Sequence, residues 1–359
     1  MKNFVLVLVL LCIGVAGFIV WEAVSFLNYR SPYSASAEGA EAQEEKILID
    51  VPPGRTFIGV ANELQRLGLI KNVFYFRIYA RLTVGSNNLK VGEYELSRNM
   101  GPKDILKTLS SGHSYARTFT IPEGTNMYEI AQVLESKNLG TAASFLKLFK
   151  DKVFIKSLLG EELHSFEGYL YPETYHFTKY TGQKEIVAAM VKNFLFTYGQ
   201  LKGPNPLNLT RHQIVTMASV IEKETGAPEE RPLIGSVFYN RLNTPMRLQS
   251  DPTILYGIMD RTGVMKKNIS REDLIAHTRY NTYKVDGLPF GPIANPGKES
   301  LRAVFQPAQS KYLYFVSRND GTHVFSETLE QHNNAVRRFQ LDRRAREGKS
   351  WRDLKSKPK

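Results

Sequence analysis

The chain has 359 residues, of which 42% are hydrophobic and 11% aromatic, which fits two or three packed domains and excludes a wholly disordered polymer. Its single cysteine excludes disulfides within the chain and cysteine-rich metal sites. The formal charge is +12, but residues 337–359 hold ten Lys or Arg against three acids, so more than half of the excess lies there. Because the basic residues are not interleaved with the folded motifs, we expect no nucleic-acid partner.

The N-terminus begins with an uncharged apolar run at residues 4–21, which is long enough to cross a hydrocarbon core of about 30 Å. We predict that residues 1–30 form a cytoplasmic N-terminus and a transmembrane helix, with Cys12 facing lipid. The alternative is a cleaved signal peptide, because residues 35–37 read Ala-Ser-Ala. The apolar run is, however, longer than the roughly 7 to 15 residues usual in signal peptides.

Residues 31–46 are small, polar and acidic, which predicts a flexible linker. An internal repeat follows, in which residues 51–70 align without gaps to residues 121–140. The shared residues are Pro52/Pro122, Gly54/Gly124, Ala61/Ala131, Leu64/Leu134 and Leu69/Leu139. Each copy predicts a strand, a tight turn and an amphipathic helix.

Between the two copies, residues 89–112 predict a further strand and a helix that Gly101-Pro102 opens. The resulting β-α-α-β order over residues 47–118 resembles the small LysM-like module of some wall enzymes. A glycan-binding module and a plain structural spacer are both compatible with this pattern.

Residues 119–340 predict a larger α+β domain, and residues 341–359 a basic tail. The tail is either simply solvated or attracted to anionic lipid or wall polymers. The best helix of the larger domain covers residues 208–224, with a capping box at Thr210 and Gln213 and a stop at Gly226 and Pro228.

Helical spacing places apolar side chains around nearly the whole circumference of this helix, and leaves only a strip for solvent. That strip contains His212, Thr216, Ser219 and Lys223. Glu222 and Glu224 fall inside the apolar arc on opposite sides. A buried carboxylate must be paired, hydrogen-bonded or protonated. It is therefore either in a salt bridge, for which Arg241 or Arg247 is available, or a general acid, and the spacing does not choose between the two glutamates.

Five motifs around this helix are rich in Tyr, Asn, Gln, Ser, Thr and Pro-Gly turns. They are EGYLYPETY at 167–175, VFYNRL at 237–242, LQSDPT at 248–253, YNTY at 280–283 with GLPFGPIANPG at 287–297, and YFVSRNDGTHVF at 314–325. Aromatic faces and short polar side chains suit a sugar-binding cleft.

With ASVIEKET at 218–225, these collinear motifs resemble the endolytic murein transglycosylases of the YceG-like family, over residues 47–338. The resemblance implies a single-pass protein of the cytoplasmic (inner) membrane whose catalytic domain faces the periplasm or cell wall. It also implies cleavage of the MurNAc-β-1,4-GlcNAc bond in nascent peptidoglycan strands, a 1,6-anhydro product, a role in ending strand elongation, and peptidoglycan synthases as partners.

Glu222 matches the catalytic glutamate of the family, and Glu224 is then expected to pair with a nearby arginine. The motifs also supply candidate substrate-binding residues, which are Glu167, Tyr171, Tyr175, Asn240, Gln249, Ser250, Asp251, Thr253, Tyr280, Asn281, Tyr283 and Asn295.

Three alternatives stay open. Asp251 could activate water beside Glu222 in a hydrolase, although Ser-Asp-Pro-Thr is also a favourable turn and helix start. His323 could touch substrate or simply pack. A wall-binding scaffold would bind glycan without cutting it. The seven histidines show no paired metal-ligand spacing, so we expect neither a metal nor a cofactor.

Overall fold

The computed structural model describes residues 2–32, 46–85 and 89–342, except for the side chains of residues 2–9 and Cys12. Most of the predicted linker and almost all of the predicted tail therefore lie outside the described residues. The first helix, α1, runs from Lys2 to Leu27. Within the described part of the chain, no helix is both long and apolar enough to cross a membrane.

The chain divides into two compact units. The first contains residues 1–118 and 176–181, and the second contains residues 119–175 and 182–359. Mixed helices and short strands in both units confirm the predicted α+β class.

The first unit continues from α1 with β1 (Lys46–Val51), α2 (Phe57–Arg66), α3 (Val73–Thr83), β2 (Gly92–Ser97) and α4 (Pro102–Ser111). β1 and β2 pair antiparallel, with Ile49 opposite Tyr94. Both of these side chains are fully buried against α2, α3 and α4. The β-α-α-β order is the predicted one, and its likeness to a LysM module stays a prediction.

The second unit is mainly helical. β3 (Arg117–Thr120), which pairs with β4 (Thr174–Phe177), leads into it. Its helices are α5 (Met127–Ser136), α6 (Ala142–Phe149), α7 (Lys152–Leu159), α8 (Gln183–Gly199), α9 (Arg211–Glu224), α10 (Arg231–Asn243), α11 (Asp251–Thr262), α12 (Arg271–Ile275), α13 (Lys298–Phe305) and α14 (Leu329–Val336). β5 (Tyr314–Ser317) and β6 (His323–Ser326) form an antiparallel hairpin before α14.

The repeat forms the same local structure in both units. β1 and β3 each lead into a turn whose glycine has a positive φ, 79° at Gly54 and 77° at Gly124. α2 and α5 follow, capped by the side chains of Thr56 and Asn126. The repeat prediction is therefore confirmed element by element.

Helix α9 is the centre of the second unit, and Thr210 and Gln213 form its capping box as predicted. Every residue from Ile214 to Glu222 is buried. The predicted solvent strip is wrong at Thr216 and Ser219, because the GPIANPG segment covers that side of the helix. There the Ser219 hydroxyl accepts the N–H of Ile293 at 3.0 Å.

The cap of α5 offers a test of this local structure. The Asn126 side chain accepts the N–H groups of Tyr128 and Glu129, both at 3.0 Å, while Glu129 accepts the Asn126 N–H. We expect Asn126→Ala to lower the free energy of unfolding by about 1–2 kcal/mol, because two N–H groups lose their acceptor. Urea denaturation measures this loss. The exposed Asn333→Ala, on α14, is the control, and equal losses in the two variants would contradict the cap assignment.

Candidate active site

The carboxylate of Glu222 is buried at the end of α9 and held by two donors. Its Oε1 accepts a hydrogen bond from Arg231 Nη2 at 2.9 Å, and its Oε2 accepts the backbone N–H of Gly297 at 3.0 Å. The side chains of Glu222 and Arg231 are 5% and 9% exposed. A charge-assisted bond and a backbone N–H together stabilise the ionised carboxylate in this buried position.

This ion pair corrects the expected arginine partners. Arg231 enters because α9 ends at Glu224, and the chain turns back through a 3₁₀ turn at Pro228–Glu230 into α10. Arg241 instead donates to the carbonyls of Leu248 and Leu313, both at 2.6 Å. Arg247 pairs with Asp286 at 2.8 Å.

A groove of about 510 Å³ lies next to Glu222, whose neighbours Lys223 and Gly124 line it, although Glu222 itself does not. The groove is lined by Pro122, Glu123, Gly124, Thr125, Glu129, Gln132, Val133, Ser136 and Lys223. A Cβ placed on Gly124 would lie 3.4 Å from Glu222 Cγ, so the turn of the second repeat copy packs directly on the buried glutamate. Polar and apolar groups both line the groove, and α5 supplies most of one wall.

Glu123 brings a second carboxylate to this groove. Its Oε2 lies 3.4 Å from the same Arg231 Nη2 that binds Glu222, and its side chain is 46% exposed. Partial burial and the nearby charge of Glu222 raise the pKa of Glu123, Arg231 opposes that rise, and Glu299 adds to it.

Glu224 occupies a different environment, on the other side of α9. Its Oε1 accepts the hydroxyl hydrogen of Ser250, and it is not paired with an arginine among the described contacts, contrary to expectation. Burial raises the pKa of Glu224 to about 7, the negative charge of Asp251 adds to the rise, and Ser250 and Arg241 oppose it. Near neutral pH this carboxyl is therefore partly protonated.

Four of the predicted substrate-binding residues lie near Glu224 and its partner Ser250. They are Gln249, Ser250, Asp251 and Tyr283. Ser250 is buried, whereas Gln249 is exposed with a φ of 50°, in the left-handed region that few side chains favour. Asp251 is exposed and opens α11, as its alternative interpretation predicts, and it accepts the Tyr283 hydroxyl hydrogen at 2.7 Å.

Glu167 and Asn295 form a buried hub rather than an exposed surface. Glu167 accepts the Met127 N–H, the Tyr256 hydroxyl at 2.8 Å and the Asn295 amide at 3.0 Å. Burial raises the pKa of Glu167 to about 8. Asn295 also accepts the Leu170 N–H at 2.8 Å. The hub fixes the GPIANPG segment against the start of α5.

Five more of the predicted residues serve the fold. Tyr175, Thr253, Tyr280 and Asn281 are buried, and Asn240 is partly buried and donates to the carbonyls of Ser310 and Tyr312 at 2.9 Å. Tyr171 is partly exposed and lies within electrostatic reach of Glu123. His323 packs, because Glu230 accepts its N–H at 2.8 Å and contacts its Nδ1 at 2.7 Å.

Glu123, Arg231 and Gly297 are functional candidates that the structure adds to those predicted from the sequence. The repeat could have identified Glu123. The two copies match in the flanking proline and glycine of the turn, but the first has Pro53 where the second has this carboxylate. The described residues contain no cluster of His, Cys, Asp or Glu that could hold a metal ion.

The fold and the site define a mixed α+β protein whose buried glutamate lies beside a surface groove, and glycoside-cleaving enzymes use carboxyl groups placed in this way. The chain belongs to the YceG-like family, whose model matches residues 49–338. The resemblance found in the sequence is thereby confirmed.

Known relatives agree with this assignment. The chain is 34% identical over 311 residues to an endolytic murein transglycosylase of Bacillus subtilis, covering 82% of this chain and 84% of the relative. It is 33% identical over 325 residues to an endolytic murein transglycosylase of Streptococcus pneumoniae, of which it spans 58%, with 81% of this chain covered. A crystal structure of a putative YceG-like protein from Listeria monocytogenes is 34% identical, with a TM-score of 0.54, and the match covers 81% of this chain and 98% of that one.

The raised pKa of Glu224 predicts a pH-dependent stability. The carboxyl has a pKa of about 7 in the folded chain and an ordinary value of 4.5. As pH rises between these values, the unfolded chain releases a proton that the folded chain retains, so the folded state loses stability. The Glu224→Gln variant does not lose stability in this way, because glutamine does not titrate. Relative to the unsubstituted protein, we expect the variant to gain about 1–3 kcal/mol between about pH 4.5 and pH 8.

The free energy of unfolding at several pH values measures this gain. Glu173→Gln, which removes an exposed carboxylate of the same unit, is the control and should show no such trend. A difference between Glu224→Gln and the unsubstituted protein that does not change with pH would contradict the partly buried, proton-binding environment of Glu224.

Proposed function

We propose that the chain is a membrane-anchored endolytic lytic transglycosylase of peptidoglycan, with Glu222 as its catalytic residue. The observation that carries the proposal is the buried Glu222 carboxylate, which is held by Arg231 and the Gly297 N–H next to a groove that offers polar side chains. The family membership and the names of the relatives support the reaction class and the substrate.

The reaction is the cleavage of the β-1,4 bond between N-acetylmuramic acid and N-acetylglucosamine. Glu222 in its neutral form gives its proton to the glycosidic oxygen, and the bond from that oxygen to C1 of the muramic acid breaks. The C6 hydroxyl of the same sugar attacks C1, and its proton goes to the Glu222 carboxylate. A 1,6-anhydro ring forms, no water is consumed, and one carboxyl group serves as acid and then as base.

The contacts of Glu222 suit this double role. Arg231 and the Gly297 N–H stabilise the carboxylate that exists between the two proton transfers, without reorganisation during the reaction. Glu129, Gln132, Ser136 and Lys223 give the groove wall donors and acceptors for sugar hydroxyl and acetamido groups.

The location follows from the sequence. We place the apolar run at residues 4–21 in the cytoplasmic membrane and the second unit on the periplasmic or wall side, where nascent strands lie. There the enzyme cuts new strands beside the peptidoglycan synthases and so ends their elongation. The LysM-like module at residues 47–118 binds glycan in this proposal.

Digestion of purified glycan strands tests the reaction. We expect products with 1,6-anhydro-MurNAc ends, measured by mass spectrometry. Glu222→Gln should lower the rate by at least about 100-fold, because it removes the only acid and base of the step. The variant should stay folded, as circular dichroism checks, although loss of the buried ion pair lowers its melting temperature. Glycan binding without cleavage by the unsubstituted protein would instead favour a wall-binding scaffold.

Glu224→Gln is the matched control, since it replaces a carboxyl two residues away on the opposite side of the helix. It should retain most of the activity. If it is folded and as inactive as Glu222→Gln, the assignment of Glu222 as the sole acid is wrong.

A second candidate function is hydrolysis, and the Glu224 cluster favours it. Glu224 has a pKa of about 7 and lies within electrostatic reach of Asp251, an exposed carboxylate that could activate water. The electrostatic interaction of Asp251 with Glu224 supports this candidate, whereas the described hydrogen bonds of Glu222 go to Arg231 and Gly297.

Asp251→Asn separates the two functions. For the transglycosylase we expect the variant to keep the 1,6-anhydro product and lose less than about tenfold in rate, because Asp251 takes no part in the proton transfers. Hydrated reducing ends from the unsubstituted protein, together with a much larger loss in Asp251→Asn, would establish the hydrolase instead.

A further inference from the structure

Arg231 serves two carboxylates with one nitrogen. Its Nη2 lies 2.9 Å from Glu222 Oε1 and 3.4 Å from Glu123 Oε2. The two carboxylate oxygens therefore cannot be farther apart than the sum of these distances. Within that limit a proton can pass between them through bridging water.

The charges around this arginine do not balance if both carboxylates are ionised. One guanidinium faces Glu222 and Glu123, while the nearby Glu299 is paired with Arg302. Lys223 lines the same groove, but its ammonium donates to the Gly124 carbonyl at 3.1 Å. When two close carboxylates share one positive charge, they bind a proton between them more readily than either does alone. Glu222 has the shorter bond to Arg231 and a backbone N–H as well, so a proton that the pair binds resides on Glu123 rather than on Glu222.

The guanidinium is free to exchange partners. The Arg231 side chain is 9% exposed, yet its Nε has no hydrogen-bond partner among the described residues. The guanidinium can thus shift toward Glu123 without breaking any other described bond of its side chain.

Gly297 holds the two glutamates together. Its N–H binds Glu222, while a Cβ placed on it would lie 1.8 Å from Glu123 Oε1. Glu123 therefore packs on the glycine whose amide fixes Glu222. Any side chain at position 297 would push Glu123 away and leave that amide in place.

We propose that Glu123 stores the proton that Glu222 uses, and exchanges it against Arg231. The inference rests on the proposed function of Glu222. Glu123 gives its proton to Glu222 Oε1 and, now ionised, takes over the Arg231 Nη2 hydrogen bond. Neutral Glu222 is then ready to protonate the glycosidic oxygen. After Glu222 has taken the C6 hydroxyl proton, the same exchange runs backwards and restores the starting state.

Glu123→Gln tests the proposal in the full chain, purified in detergent, through the pH dependence of glycan cleavage. Removing the second carboxylate lowers the proton affinity of Glu222, because Arg231 and Gly297 then stabilise its anion unopposed. We expect the alkaline limb of the kcat profile to move about one unit lower and the rate above it to fall about tenfold. The melting temperature should not change, because Glu123 lies on an exposed turn.

Two further variants sharpen the test. Gly297→Ala keeps both carboxyls and the amide but displaces Glu123, and it should shift the profile in the same direction. Glu173→Gln removes an exposed carboxylate that accepts the Thr174 N–H at 3.0 Å, and it should leave the profile unchanged. A Glu123→Gln profile that coincides with that of the unsubstituted protein would overturn the proposal.

Infrared titration separates this proposal from the function on which it rests. The carboxyl band that disappears in Glu222→Gln reports the protonation of Glu222 whether or not glycan is cut. In Glu123→Gln we expect that band to titrate at lower pH. If this shift is seen but the product ends are hydrated, the transglycosylase proposal is wrong and the proton exchange is supported. If the product ends are 1,6-anhydro but the band does not shift, the proton exchange is wrong and the transglycosylase proposal stands.

Discussion

Burial of the Glu222 carboxylate is the constraint on which the candidate site depends. A buried ionised carboxylate needs an opposite charge and donors in place, and these come from Arg231 and the Gly297 N–H. Arg231 is in reach only because the chain reverses directly after α9. That reversal is fixed in turn by Glu230, which accepts the His323 N–H and bonds the Thr225 hydroxyl. Through Glu230, the β5–β6 hairpin thus helps to hold the chain reversal that positions Arg231.

The same requirement explains why so many polar residues of the motifs are buried. Gly297 must present its N–H to Glu222, so the GPIANPG segment has to be held in place. Asn295 does this: its backbone and side-chain nitrogens both donate to the Thr125 carbonyl, and its own carbonyl accepts the Gly124 N–H at 2.9 Å. Glu167 accepts a hydrogen bond from the Asn295 side-chain amide and so fixes its orientation. The segment that carries Gly297 and the turn that carries Glu123 are thereby joined as one unit.

The sequence predicted elements well and side-chain roles unevenly. Periodicity, Gly-Pro turns and capping boxes are local, so the repeat, α9 and the Asp251 helix start were predictable. Burial of Ser219 and the Arg231 ion pair depend on segments distant along the chain or on a chain reversal, which periodicity does not contain. Motif chemistry marked Glu167 and Asn295 as polar and important. It could not distinguish a residue that binds sugar from one that holds the backbone beside it.

The repeat shows how a structural turn can acquire a chemical role. Both copies place a residue between a proline and a left-handed glycine, where it projects from the turn and packing constrains it little. In the first copy this residue is Pro53, which only stiffens the turn. In the second it is Glu123, which reaches Arg231. Because the glycine and the helix cap already define the turn, this position can change without loss of fold. The structure of the turn is therefore conserved between the copies, while the carboxylate is present in one of them.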